Sequence, residues 1–270
     1  LKLLRAIQVA AGQGDDAPAL VFVHGFMGGP ADYAPMVARL GARFRCIAVE
    51  LAGHGDVALP DAPLTLHNLA RQLRDDILKP LKNPTLIGYS MGGRLALQCA
   101  LDDPQSVAKL VLISTSPGIE DPEERRARRA QDALRAGRIL QDFDAFLENW
   151  YRLGIFGNLG KHPQLPAMLA RRRQQSPAAI ARVIGELSPG EQPSNWQRLG
   201  ALLGERPYTT WIVGADDPKY RRLGEELTAQ GHTVRVAPTA AHALHIEAPD
   251  WLARQLEDVV ARDSKRGAPR

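Results

Sequence analysis

Gly88-Tyr89-Ser90-Met91-Gly92-Gly93-Arg94 comes directly after the apolar run Pro84-Thr85-Leu86-Ile87. The order reads as a buried strand, a sharp turn carrying a serine, and a helix start that continues through Leu95-Ala96-Leu97-Gln98-Cys99-Ala100-Leu101. Gly88 and Gly92 omit side chains where such a turn crowds strand against helix, so the Ser90 hydroxyl can be presented at the tip. A lone Gly-x-Ser-x-Gly is a weak signal, because both residues are common in loops; the flanking strand and helix give it context.

Working outward, Ala19 to Val23, Phe44 to Val49, Thr85 to Ile87 and Leu110 to Ile113 are short apolar runs of the kind that form buried parallel strands. Helical patterns lie between them, near Ala31 to Leu40, Leu64 to Leu78 and Arg94 to Leu101. Strand-like runs resume at Tyr208 to Val213 and Thr233 to Val236, before a last helix near Asp250 to Ala261. This alternation predicts an α/β fold with a doubly wound sheet. Between Ile113 and Tyr208 the alternation stops for about ninety residues. A structureless loop of that length is improbable. The segment is therefore expected to be a helical insertion over the C-terminal edge of the sheet, where open α/β sheets bind ligands. The predicted division is a core of 1–117 with 207–270, and a cap of 118–206.

A serine hydroxyl needs an imidazole to take its proton and a carboxylate to orient that imidazole. In a chain of this layout the acid should follow a late strand and the histidine the last one. Asp216 or Asp217 closes the strand ending at Gly214, and His242 or His245 follows the next. Both choices stay open on the residues alone. His24-Gly25-Phe26-Met27-Gly28-Gly29 follows the first strong strand, where the amides of Phe26 and Met91 are candidates to stabilise an oxyanion. Gly53-His54-Gly55 is read as structural. No metal-ligand spacing and no phosphate-binding glycine loop is present, so neither metal nor cofactor is expected.

Of the 270 residues, 34 are Lys or Arg and 30 are Asp or Glu, a net charge of +4 with 44% hydrophobic residues. The excess is uneven: Glu123 to Arg138 holds six Arg against three acids, and Arg171-Arg172-Arg173 follows later. No basic-aromatic pattern accompanies these arginines, so a small anionic substrate is expected rather than nucleic acid. Arg125, Arg126, Arg129, Arg135 and Arg138 read as a solvated helix face. Cys46 and Cys99 read as buried thiols rather than a disulfide. The N-terminal region has neither a signal-peptide pattern nor an apolar run of membrane-spanning length, and a cytoplasmic location is expected.

His24-Gly25-Phe26, Gly53-His54-Gly55, Gly88 to Arg94, Asp217 and His242 together resemble the α/β-hydrolase superfamily over roughly residues 19 to 260. The resemblance implies a mostly parallel doubly wound sheet with the helical cap inserted after the sixth strand. Further features are similar to one branch, the menaquinone-pathway synthases that make 2-succinyl-6-hydroxy-2,4-cyclohexadiene-1-carboxylate. These are Ser116-Pro117-Gly118-Ile119 before an Arg-rich helix, Trp150-Tyr151 with Phe156, Arg172 before Pro177, Gln192-Pro193 with Trp196, and Asp217-Pro218-Lys219-Tyr220. The resemblance favours Asp217 over Asp216 and His242 over His245. It also implies that Arg94, Arg128 and Arg172 grip substrate carboxylates, with Tyr89 and Trp150 beside the substrate. Guanidinium forks bind carboxylates bidentately, which suits such a role. Glu50-Leu51-Ala52 and Ala241 depart from the superfamily's usual Asp-x-Pro and Gly.

The activity implied is elimination of pyruvate from 2-succinyl-5-enolpyruvyl-6-hydroxy-3-cyclohexene-1-carboxylate, with Ser90 acting as a base. Two rivals are a carboxylesterase or C–C hydrolase, which would prefer an apolar pocket, and a non-catalytic binding protein, which should have lost a member of Ser90, Asp217 and His242.

Overall fold

A computed structural model describes residues 2–14, 17–204 and 207–261. The chain runs β1 (Leu4–Ala10), β2 (Ala19–Val23), α1 (Ala34–Leu40), β3 (Arg45–Leu51), α2 (Leu66–Gln72), β4 (Thr85–Tyr89), α3 (Met91–Asp102) and β5 (Lys109–Ile113). Four longer helices follow: α4 (Pro122–Gln141), α5 (Phe143–Trp150), α6 (Leu165–Arg173) and α7 (Pro177–Glu186). The sheet then resumes with β6 (Tyr208–Gly214), α8 (Pro218–Ala229), β7 (Thr233–Ala237), α9 (Leu244–Glu247) and α10 (Pro249–Ala261).

The seven strands lie in the order β1-β3-β2-β4-β5-β6-β7. All neighbouring pairs are parallel except β1 with β3. From β2 the chain crosses first to β3 on one side and then to β4 on the other, so β2 and β4 flank the point where the winding reverses. That point opens a crevice beyond the carboxyl ends of the two strands. The expected insertion leaves the sheet after the fifth strand, not the sixth, because a single strand precedes β2 among the described residues. Residues 205–206 of the expected cap and 262–270 of the expected core lie outside the described residues.

The central strands β2, β4 and β5 are buried along their whole length, as continuous apolar runs require. Strand β1 is an edge strand with one buried residue, Leu4, so it carries no apolar run by which to be recognised. Helix α3 is enclosed almost throughout, with eleven residues from Met91 to Leu101 buried. Both cysteines are free and buried. No helix among the described residues is long and apolar enough to cross a membrane.

Helices α4 to α7 sit over the crevice and are bonded to the sheet's loops at several points. Arg171 and Arg172 of α6 pair with Asp32 beyond β2, and the His242 amide donates to Ile155 O at 3.1 Å. On α4, Arg125 and Arg129 donate to Gly190 O, and Arg135 lies on the Trp150 ring while pairing with Asp132. Those three therefore do not belong to a free solvated face. The backbone around Gly190, beneath the helix, offers Arg125 and Arg129 a carbonyl.

Candidate active site

Ser90 occupies the step from β4 into α3 with φ 52° and ψ −111°, a conformation that costs a non-glycine residue about 1–3 kcal/mol. Neighbouring groups hold it there. Ser90 N–H donates to Ile113 O at 2.9 Å, and Thr115 Oγ1 donates to Ser90 O at 2.9 Å. The glycines explain why the turn closes. A Cβ on Gly92 would lie 2.3 Å from Val23 O and 2.4 Å from His24 O, and one on Gly88 would lie 2.5 Å from Gly92 O. The start of α3 can press against the end of β2 only because both positions lack side chains.

From this tip the Ser90 hydroxyl reaches His242 Nε2 at 3.0 Å, and His242 Nδ1–H donates to Asp217 Oδ2 at 2.9 Å. Asp217 is fully buried, caps α8 by accepting from Tyr220 N–H, and lies next to Asp216, which is exposed. The loops carrying acid and base meet because residue 214 is glycine: a Cβ there would lie 2.1 Å from Ala240 O. Ala241 fits because its methyl faces Gly157, where a Cβ would sit 2.9 Å away. The chain can thus pass a proton from serine to imidazole, with the resulting charge held against a buried carboxylate.

The loop after β2 is held by two histidines. His54 Nε2 accepts from Met27 N–H at 3.1 Å, and His24 Nε2 accepts from Leu51 N–H at 3.2 Å. Burial pushes the His24 imidazole down to about 4 and His54 well below its usual value, so both are neutral acceptors. Gly53-His54-Gly55 is structural in this sense: it braces the turn that carries Phe26. Met91 is the first residue of α3, so its amide has no acceptor within the helix.

Ser90 and His242 open on a cavity of about 140 Å3, whose wall includes Phe26, Tyr89, Met91, Trp150, Arg94, Arg128 and Arg172. All the residues read from the sequence as site residues line it except Asp217, which stands behind His242. The three arginines differ in their partners. Arg94 is buried and donates to two neutral acceptors, Leu187 O at 2.6 Å and Gln192 Oε1 at 3.4 Å. No carboxylate among the described residues forms an ion pair with it, and burial followed by Arg128 pushes its guanidinium down to about 10. Arg128 donates Nε to the buried Asp132, which Arg135 and Ser188 also engage. Arg172 is already paired, donating Nη2 to Asp32 at 2.5 Å and Nε to Tyr151 Oη at 3.2 Å. Despite burial, Arg172 holds Asp32 down to about 2, so the pair is ionised. Of the neighbouring arginines, Arg173 faces outward to Asp144, while Arg171 is partly exposed and shares Asp32.

Asp32, Tyr151, Lys219 and Tyr220 also line the cavity, as does His245, the alternative candidate for the base, which lies outside the Ser90–His242–Asp217 chain. For Arg172 the helical phase was a usable signal, since Met168, one turn earlier, is buried on the same face. Glu247 sits behind the base, where its Oε2 accepts from the amides of both Ala241 and Ala243 at 3.1 Å. Burial outweighs these donors, and its carboxyl is raised to about 7.

Residues 20–255 match the signature of the alpha/beta hydrolase family. The 2-succinyl-6-hydroxy-2,4-cyclohexadiene-1-carboxylate synthase of Enterobacter sp. (strain 638) is 30% identical over 246 residues, covering 90% of this chain and 92% of that protein. Protein PHYLLO, chloroplastic, of Arabidopsis thaliana is 29% identical over 260 residues, covering 88% of this chain; the chain spans 15% of that relative's length. In three dimensions, MenH from S. aureus superposes with a TM-score of 0.88 at 24% identity, covering 98% of this chain and 100% of that one.

Two outcomes follow from the packing and the buried carboxyl. Gly92→Ala should force α3 away from β2, lowering stability by roughly 3 kcal/mol in thermal denaturation and slowing labelling of Ser90 by a fluorophosphonate. Unchanged labelling would contradict the assigned contact. For Glu247, the folded pKa of about 7 lies above the ordinary 4.5, so the folded chain keeps a proton that the unfolded chain releases. The stability this contributes is complete below about pH 4.5 and is lost as pH rises through about 7. The stability of the parent protein minus that of Glu247→Gln, from urea melts, should decline across that window. A flat difference would refute the burial argument.

Proposed function

The chain belongs to the alpha/beta hydrolase family, and we propose that within it this protein is a lyase that eliminates pyruvate from 2-succinyl-5-enolpyruvyl-6-hydroxy-3-cyclohexene-1-carboxylate in menaquinone biosynthesis. The relative from Enterobacter, named for the product of that step, supports the reading. The observation that carries it is Arg94. A guanidinium buried beside Ser90 with only neutral acceptors is an expensive arrangement for an empty site, because a buried charge without a counterion costs several kcal/mol. An anionic substrate supplies the missing charge. An esterase acting on neutral acyl chains gains nothing from it.

In this reading Asp217 orients His242, which draws the Ser90 proton, and the serine oxygen removes a proton next to the succinyl ketone. The electrons of that C–H bond move onto the ketone oxygen, which lies against the Phe26 and Met91 amides. They then return through the ring to break the C–O bond, and pyruvate leaves as its enolate. Ser90 keeps the proton it has taken from carbon, and the imidazolium of His242 gives the proton it drew from Ser90 to the departing enolate, which restores both groups. No acyl-enzyme forms. Arg94 and Arg128 hold carboxylates, Tyr89 and Trp150 shape the wall, and Arg172, charge-matched by Asp32, contributes its remaining donor. Residues 118–206 act as the cap that excludes water, over a core of 1–117 with 207–270. No metal or cofactor enters the scheme.

The purified protein, offered the enolpyruvyl precursor, should release pyruvate much faster than it turns over short nitrophenyl esters. Rapid ester turnover without pyruvate would leave the esterase reading standing instead. Arg94→Ala should lower kcat/KM for pyruvate release by at least about 100-fold, the loss typical of truncating one partner of a desolvated charge pair. Its effect on residual ester hydrolysis should be far smaller, and equal losses would remove Arg94 from carboxylate binding.

A further inference from the structure

His245 lines the same cavity as Ser90 and His242 but takes no part in their hydrogen-bonded chain. It lies three residues beyond His242, in α9, 4% exposed, with its ring centroid 4.3 Å from that of Tyr89 and 5.5 Å from that of Tyr33. Its two nitrogens are in different situations. Nδ1 is sealed from solvent and has no hydrogen-bond partner. Nε2 also has no protein partner, but it is not sealed and keeps access to the cavity.

This contrast sets the tautomer. A buried N–H without an acceptor is rarer and costlier than a buried lone pair without a donor, so the proton belongs on Nε2. Burial also pushes the imidazole down to about 4, against Asp32, which raises it, and with Arg172, which lowers it. The ring is therefore uncharged at neutral pH. Asp32 and Arg172 are the charged groups that act on it most, placing it at the end of the cavity where that ion pair lies.

We infer that His245 is a substrate-binding residue whose Nε2–H donates a hydrogen bond to an oxygen of the bound oxo-acid. Arg94 of α3 and Arg128 of α4 present cationic charge to the cavity, whereas Arg172 is largely matched by Asp32. A neutral donor at this end fixes the orientation of a carbonyl or carboxylate oxygen without adding a further charge that an asymmetric polyanion could mistake for the Arg94 end. The inference rests on the reading of the site as a receptor for a small oxo-acid, and it does not require turnover.

The test compares His245→Leu and His245→Gln with the parent protein. Protection of Ser90 from fluorophosphonate labelling by 4-oxo-4-phenylbutanoate, a ketone bearing one carboxylate, is measured alongside protection by 4-phenylbutanoate, which lacks the ketone. Labelling without ligand is measured for each protein, and protection is expressed relative to that rate. His245→Leu should weaken protection by the keto acid about tenfold, the loss expected for one hydrogen bond of about 1.4 kcal/mol, and His245→Gln should retain most of it. If 4-phenylbutanoate is weakened equally, the acceptor is a carboxylate oxygen. If it is unaffected, the acceptor is the ketone. Unchanged protection in His245→Leu would overturn the inference. A parent protein that neither acid protects would overturn it together with the oxo-acid reading. A parent protein that binds them yet releases no pyruvate from the precursor would remove the lyase reading alone.

Discussion

Backbone contact between the start of α3 and the end of β2 is the constraint on which the site is built. Without side chains at residues 88 and 92, the helix comes close enough to the Val23 and His24 carbonyls to hold Ser90 in its positive-φ conformation. The strain is local and of the order of 1–3 kcal/mol. It is offset by the hydrogen bonds from Ser90 N–H to Ile113 O and from Thr115 Oγ1 to Ser90 O. The same approach brings the Phe26 loop beside the N-terminus of α3, so base, serine and the two candidate amide donors come together at one reversal of the sheet. His24 and His54 serve this arrangement as neutral braces, kept uncharged by their burial.

Charge distribution decides what such a site can receive. Three arginines line one cavity, yet their environments are unlike. Arg172 meets a buried carboxylate and is satisfied, Arg128 shares Asp132 with Arg135, and Arg94 is solvated only by a carbonyl and an amide oxygen. Hydrogen bonds from a charged donor recover about 1.5–3 kcal/mol each, less than the desolvation of a full charge, so the Arg94 environment is suited to an anion. The scaffold's chain of serine, imidazole and carboxylate serves an acyl transfer or a proton abstraction equally well. The unmatched cation beside it favours a substrate that brings negative charge.

Much of this is legible in the amino-acid sequence. The continuous apolar runs announced β2, β4 and β5, because strands buried on both faces must be apolar throughout, and the glycine spacing around Ser90 announced the turn. Strand β1 was not legible, since an exposed edge strand needs no apolar pattern, and its antiparallel pairing with β3 depends on a partner distant in sequence. On the residues alone Asp216 and Asp217 are indistinguishable as neighbours; the resemblance favours Asp217, and the burial of one with the exposure of the other separates them. The arginine face of α4 was misread for a related reason. A run of charges reads as solvated unless the carbonyl of Gly190 and the ring of Trp150, both from other segments, are known to lie beneath it.

The methyl of Ala241 rests against residue 157, which is glycine with φ 51°, and the next residue, His242, hands its amide proton to Ile155 in the same segment. Families of this architecture can diversify by exchanging the segment above the sheet while keeping the chemistry beneath. In this chain such an exchange is restricted at one position. A replacement segment with any side chain at 157 would press on the Ala241 methyl, one residue before His242, so positions 157 and 241 must change together. The freedom to acquire a new specificity is thus bounded by the space around a single methyl group.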